Sequence, residues 1–289
     1  MDNKMFCFQC EQTAGCTGCV RNAGVCGKTA ATAALQDELT GALIGLAHAC
    51  ENNPKTDATD RIVIEGLFTT ITNVNFNDET LKEMIAHVHT EKSRIVPGCS
   101  ACASPCGNTS DYDMKQIWDA DEDIRSLKSL ILFGIRGMAA YAYHALMLGL
   151  SDETVNNFFY KALSILGYDY EMNELLPIVL EVGEVNLRCM ELLDKANTTT
   201  YGTPVPTKVS LTIEKGPFIV VSGQILSFCY NRPKARAFRY IPTEKCSRPM
   251  LIQNSKSTSI SKAISVLHGR TSRKNLIKCP VHSCLQRIV

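Results

Sequence analysis

The stretch FCFQCEQTAGCTGCVRNAGVCGK, residues 6–28, holds five cysteines: Cys7, Cys10, Cys16, Cys19 and Cys26. A chain that gathers thiols this densely uses them in disulfides, on a metal, on a cluster or as free thiols, and the redox compartment helps to decide among these. The opening MDNKMF is not followed by the apolar run of a secretory signal, so the expected setting is the cytoplasm. Fourteen cysteines in a reducing compartment argue for metal or cluster ligation over disulfide pairing.

Cys7 and Cys10, with two residues between them, have the spacing that bends around one metal atom or one cluster edge. Two ligand sets compete. Cys7, Cys10, Cys16 and Cys19 form a zinc-knuckle-like set of four thiolates. Cys7, Cys10, Cys19 and Cys26 form an iron–sulfur set, with Gly15, Gly18 and Gly24 letting the backbone approach the sulfide. A second loop holds Cys99, Cys102 and Cys106. It suits thiols packed beside the first site, or a second site completed by His87 or His89. Cys50, Cys189, His48 and His144 fall in helical stretches and read as core residues. Cys279, His282 and Cys284 resemble half a zinc site but stand in a segment without pattern.

The remaining chain reads as mainly α. An apolar share of 45% and a charged share of 20% describe an ordinary globular protein, and no run of 18 apolar residues predicts a membrane span. Leu35, Leu39, Leu43 and Leu46 lie on one face of a helix beginning near Lys28. Further helices are expected through 61–74, from Asn77 or Asp78 as N-cap, over 121–149 as a candidate central helix, over 151–166 capped by Ser151, and over 171–195. Thr203-Pro-Val-Pro206 then breaks the pattern. TKVSLTI (207–213) alternates, and PFIVVSG (217–223) is a short apolar run like a buried parallel strand. The expected organisation is an N-terminal helical bundle over 1–200, the first one or two strands of a truncated Rossmann-like α/β domain over 201–223, and a tail over 224–289 without clear pattern.

Charge divides at the same place. Residues 1–223 carry 17 Lys/Arg against 28 Asp/Glu, whereas 224–289 carry 13 against the single Glu244. The basic tail makes a weak case for nucleic acid, because no fold presents its cations. There is no Gly-rich phosphate loop and no Ser/His/Asp or Cys/His arrangement at a recognisable spacing.

The segments MFCFQCEQTAG, GVCGKTA, LQDELTGALIGLA, GLFTTITNVNF, EDIRSLKSLILFGIRGMAAYAYHALMLG, LLDKANTTTYGTPVPTKV and GPFIVVSG resemble the hybrid-cluster (prismane) proteins, the hydroxylamine reductases, over about residues 5–223. The lack of a long insertion between 95 and 121 is similar to the shorter-chain branch. The resemblance implies an oxidoreductase that reduces hydroxylamine to ammonia, or a related nitrogen oxide such as nitric oxide. A redox partner supplies its electrons, and neither membrane nor nucleic acid takes part. It also implies a 4Fe–4S cluster (2Fe–2S in one branch) on Cys7, Cys10, Cys19 and Cys26, passing electrons to a hybrid iron–sulfur–oxygen cluster. The gap before Cys26 is one residue longer than in many members.

The resemblance ends at Gly223. Where the family has a histidine that ligates the hybrid cluster, this chain has Gln224, and Glu244 is the only carboxylate among the residues that follow. A reading-frame shift explains the coincident loss of similarity, charge balance and periodicity; a fusion to a basic segment is the other explanation. The hybrid cluster is then expected to be absent. The alternative to an enzyme is a non-catalytic, truncated iron–sulfur binding fragment without the hybrid-cluster site.

Overall fold

The computed structural model describes residues 5–10, 18–71, 75–96 and 110–203, together with the backbone of 218–221 and 239–242. Within them the chain is mainly helical. Two compact units divide it, Met1–Ala196 and Asn197–Val289.

The first unit is built around α1 (Ala30–Cys50). Thr29 caps it, its side chain accepting from the Thr32 amide, which satisfies one of the orphan donors of the first turn. The leucine stripe is only part of its buried surface. Leu39, Leu43 and Leu46 are fully enclosed, but so are Thr40, Gly41, Ala42 and Ala47 on the other faces. Over residues 39–49 the helix is buried on every side, as befits a core, while its first turns expose Ala31, Ala34 and Glu38. α1 is therefore the central helix, in place of the segment expected from its length and apolar character.

Three helices cover α1: α2 (Asp57–Thr69), α3 (Asp78–Ile95) and α6 (Glu153–Leu166). α2 starts with a capping box in which Thr56 and Thr59 exchange hydrogen bonds. Asn77 caps α3, accepting from the amides of Glu79 and Thr80. Asp78 ties α3 to the start of α1, its Oδ1 accepting from Thr32 Oγ1 at 2.6 Å. Acidic residues in the first turn of α3, with Lys92 and Arg94 in its last, complement the helix dipole. α6 is capped by Asp152, which accepts from the amides of Thr154 and Val155. The expected cap, Ser151, accepts instead from Asn156 Nδ2 at 3.0 Å. A carboxylate is the stronger acceptor for the free amides of a first turn, and it also pairs with Arg188.

The short α4 (Lys115–Trp118) leads into α5 (Glu122–Met147), which packs on α2, α4 and α6. By length and hydropathy α5 could cross a membrane, but two of its cations are buried in protein. Lys128 Nζ donates to Leu166 O and Tyr168 O at the carboxyl end of α6, and Arg136 is enclosed near the N-terminal cysteines. It is a core helix with Leu130, Tyr141 and Met147 left exposed. α7 runs from Met172 to Tyr201, beyond the expected end, with Pro177 inside it. Its buried positions, Leu175, Val182, Cys189 and Ala196, recur every seven residues, the seam of a helix that packs along its length.

In the second unit, β1 (Phe218–Val221) pairs in parallel with β2 (Arg239–Pro242), in the register Phe218 to Arg239 and Val221 to Pro242. The expected strand over 207–213, Gln224, Glu244 and the end of the tail lie outside the described residues.

The packing of the first unit can be tested at two places. At Gly41 a Cβ would stand 2.1 Å from the carbonyl oxygen of Tyr112, whose amide donates to Gly41 O at 3.1 Å. Gly41→Ala is expected to cost about 1–3 kcal/mol, read as a fall of roughly 3–10 °C in the thermal midpoint. Gly137→Ala, on the same test, meets nothing within 4 Å and should be neutral or slightly stabilising. A melting point unchanged by Gly41→Ala would show that segment 110–113 does not lie on α1.

The second place is Glu91, whose side chain accepts from Arg94 and from Thr59 Oγ1. The bond from Arg94 holds its carboxyl below the usual range. A depressed folded value means stability that is present above the unfolded value of about 4.3 and lost as the pH falls through the folded one. Because Arg94 is half exposed, solvent screening keeps the effect small. The gap between wild type and Glu91→Gln in urea midpoint should be full at pH 7 and close below pH 4; a gap independent of pH would contradict the pairing.

Candidate iron–sulfur site

The cysteine-bearing segment folds onto the amino end of α1. Cys7 and Cys19 face each other as an isolated antiparallel pair, Cys7 N donating to Cys19 O at 3.1 Å and Cys19 N to Cys7 O at 2.8 Å. The reversal before Cys19 needs Gly18. Its φ is +65°, and a Cβ there would stand 2.8 Å from Cys7 O. On the other side Gly24 N donates to Lys28 O and Gly27 N to Gly24 O, closing a turn that contains Cys26.

Met5 connects these pieces. It packs with Cys7, Cys19, Ala30 and Ala33, and both its Cε and Cys26 Sγ stand 3.3 Å from where a Cβ on Gly24 would sit. Cys7 is buried, while Cys10, Cys19 and Cys26 are half-buried. Burial pushes the Cys7 thiol up to about 11, against the pull of Lys28. Phe8 enters the main core and stacks obliquely on Trp118 at 5.3 Å, which anchors the Cys7–Cys10 turn. Cys16, Cys99, Cys102 and Cys106 lie outside the described residues.

Beneath the cysteines is a buried polar network that the spacing of thiols does not announce. Lys28, almost wholly enclosed, donates from Nζ to Gln9 Oε1 at 2.7 Å. Gln9 Nε2 in turn donates to Asp37 Oδ1 at 2.7 Å and to Ala33 O at 3.0 Å. Arg136, 3% exposed, reaches across from α5, with Nη2 donating to Thr40 Oγ1 at 2.9 Å and Nη1 to Gln9 O at 3.5 Å. Burial lowers its guanidinium to about 10, still protonated at neutral pH, and its charge is felt at Asp37, Cys7 and Cys10. Burial raises the Asp37 carboxyl to about 6 against the pull of Gln9 and Arg136. Arg136 is the residue that the sequence could have flagged: a lone cation in the apolar run ILFGIRGMAAYA (131–142).

The other described candidates have different surroundings. His48 is buried, its Nε2 3.1 Å from Ser164 O and its ring stacked on Tyr168. Cys189 is fully buried and donates to Met138 O. His144 packs edge-on against Phe68 and Tyr143, and burial lowers its imidazole. Cys50, pushed up to about 11 by burial, lines a cavity of about 380 Å³ with Tyr160, Tyr168 and Tyr170. His89 Nε2 donates to Asp111 Oδ2 at 2.7 Å on the surface.

Four thiols suit soft metals and iron–sulfur cores. Among the described residues no three His, Cys, Asp or Glu close on a point that fits one metal ion. The fit to a larger, polyanionic group rests on charge. Among the described residues Nε of Arg136 is buried without a partner, and the network beneath the thiols holds two cations against one carboxyl group. An anionic core bound by thiolates at this place matches both features.

Comparisons with known proteins identify the family. The family model for the Prismane/CO dehydrogenase family matches residues 5–228. The chain is 42% identical over 247 residues to the hydroxylamine reductase of Thermodesulfovibrio yellowstonii, covering 77% of this chain and 45% of that protein. It is 40% identical over 246 residues to that of Caldanaerobacter subterraneus subsp. tengcongensis, covering 77% and 45%. To that of Maridesulfovibrio salexigens it is 37% identical over 237 residues, covering 77% and 44%. The chain thus spans less than half the length of the curated relatives it matches. From the cysteine segment through the helices to residue 228, it belongs to the Prismane/CO dehydrogenase family.

Proposed function

We propose that this chain is the electron-entry part of a hydroxylamine reductase-like oxidoreductase, with Cys7, Cys10, Cys19 and Cys26 as ligands of a 4Fe–4S cluster. The cluster, when bound, supplies one-electron transfer between a redox partner and the place where a small nitrogen compound is reduced. For hydroxylamine that reduction breaks the N–O bond and consumes two electrons and two protons, giving ammonia and water. A cytoplasmic setting keeps the thiols reduced and available as ligands.

The observation that carries the reading is the Cys7–Cys19 pair set over a buried excess of cation. The chain's own contribution is positional. Gly18 lets the two cysteine strands close, Met5 and Phe8 fix the turn against the core, and α1 supplies the floor on which the ligands stand. Half-burial of Cys10, Cys19 and Cys26 leaves an approach for a donor protein while most of the site is shielded from water.

The test is anaerobic reconstitution of the full chain with iron and sulfide, followed by iron and acid-labile sulfide analysis and electron paramagnetic resonance after reduction. Wild type is expected to turn brown and bind both elements. Cys7→Ser, Cys10→Ser, Cys19→Ser and Cys26→Ser should each lower iron per chain several-fold, whereas Cys50→Ser and Cys189→Ala should not. Full iron in Cys26→Ser, or stoichiometric zinc in place of iron and sulfide, would overturn the ligand assignment. Hydroxylamine-dependent oxidation of a reduced viologen dye, followed by ammonia production, tests the reaction separately.

A further inference from the structure

We infer that Arg136 and Lys28 form a buried cationic seat that sets the reduction potential of the group held by Cys7, Cys10, Cys19 and Cys26. The inference rests on the ligand assignment above and adds to it residues that touch no iron. Three observations carry it.

The first is the charge count of the interior. Lys28 and Arg136 are 2% and 3% exposed, and the only acid in their network among the described residues is Asp37. Asp37 bonds to Gln9 rather than to either cation, and no ion pair among the described residues joins it to Lys28 or Arg136. Buried charges are costly unless paired, so this arrangement favours a further anion close by.

The second is an unmet donor. Arg136 Nη1 and Nη2 are directed to Gln9 O and Thr40 Oγ1, but Nε is buried with no acceptor among the described residues. A fully enclosed guanidinium N–H without a partner points to an acceptor that the described residues do not supply.

The third is where the charge acts. Arg136 is coupled electrostatically to Cys7 and Cys10, and Lys28 to Cys7, so the field of both cations falls on the ligand set. Gln9, between the two cysteines in sequence, keeps Lys28 in place by its Oε1 and Asp37 by its Nε2. The amide thus bridges the cation and the acid, which form no direct ion pair.

A cubane with four thiolate ligands is a dianion when oxidised and a trianion when reduced. Fixed cations stabilise the reduced form more than the oxidised form and so raise the potential. Because both cations are buried, added salt should screen them little. Lys28 and Arg136 are positioning residues for charge. They come from distant parts of the chain, since Arg136 lies 127 positions from Gln9.

The experiment is a spectroelectrochemical titration of the anaerobically reconstituted full chain, with iron per chain and circular dichroism measured on every variant. Arg136→Gln and Lys28→Met are each expected to shift the equilibrium toward the oxidised form at least tenfold, which for a one-electron couple is about 59 mV to more negative potential. Arg136→Lys should restore most of the shift, and the shift should be the same at low and high salt. If Arg136→Gln does not fold, Lys28→Met decides. A fully loaded Arg136→Gln or Lys28→Met chain at the wild-type potential would overturn the cationic seat and leave the ligand assignment standing. Wild type that binds no iron and sulfide would overturn both.

Discussion

From Leu39 to Ala49 α1 is enclosed on every face, and the rest of the first unit follows from that constraint. A helix with no solvent side needs small residues where other backbones cross it, and Gly41 meets this need against Tyr112. It needs polar side chains satisfied in place, and Thr40 bonds back to Gln36 O while accepting from Arg136. It also needs cover at its amino end, where α3 and the cysteine-bearing segment supply it through Asp78 and Gln9. The site is therefore attached to the helix that three others cover. Ligands that must keep their geometry through a change of charge are best held in this way.

Much of this was legible in the sequence, for reasons that can be named. Helix starts are local, so Asn77 before an acidic turn marked α3, and the apolar period marked α1, α5 and α6. The errors arose where local signals tie or where enclosure decides. Ser151 and Asp152 are both good caps, and only the arrangement of Asn156 and Arg188 separates their roles. The stripe of leucines suggested one buried face for α1, because glycine, alanine and threonine carry little hydropathy signal although three neighbouring helices bury them. α5 showed the stronger apolar pattern and is partly exposed.

The candidate site divides in the same way. Its thiols were visible as spacing, because ligands from one short loop must recur at short intervals. The charges beneath them were not. Lys28 reads as an ordinary residue opening a helix, and Arg136 as an oddity in an apolar run. What gives them meaning is proximity across the fold, with one hydrogen bond closing over 127 positions and another, from Arg136 to Thr40, over 96. Gln9 belongs to both classes, being part of the cysteine turn in sequence and the hub of the buried network in space.

The sign of the charge at the site also runs against the sign of the chain around it. Residues 1–223 carry eleven more acidic than basic side chains, which on its own argues for a negative potential and a poor environment for an anionic cluster. Distance and solvent reverse that conclusion. Exposed carboxylates are screened beyond a Debye length of about 8 Å at physiological ionic strength, whereas Lys28 and Arg136 act through protein with little water between. Two buried cations can therefore dominate the local field while the surface stays acidic. For the proposed electron-entry role, an acidic surface would suit encounter with a basic donor protein and a cationic interior would suit retention of an added electron, two requirements separated by depth.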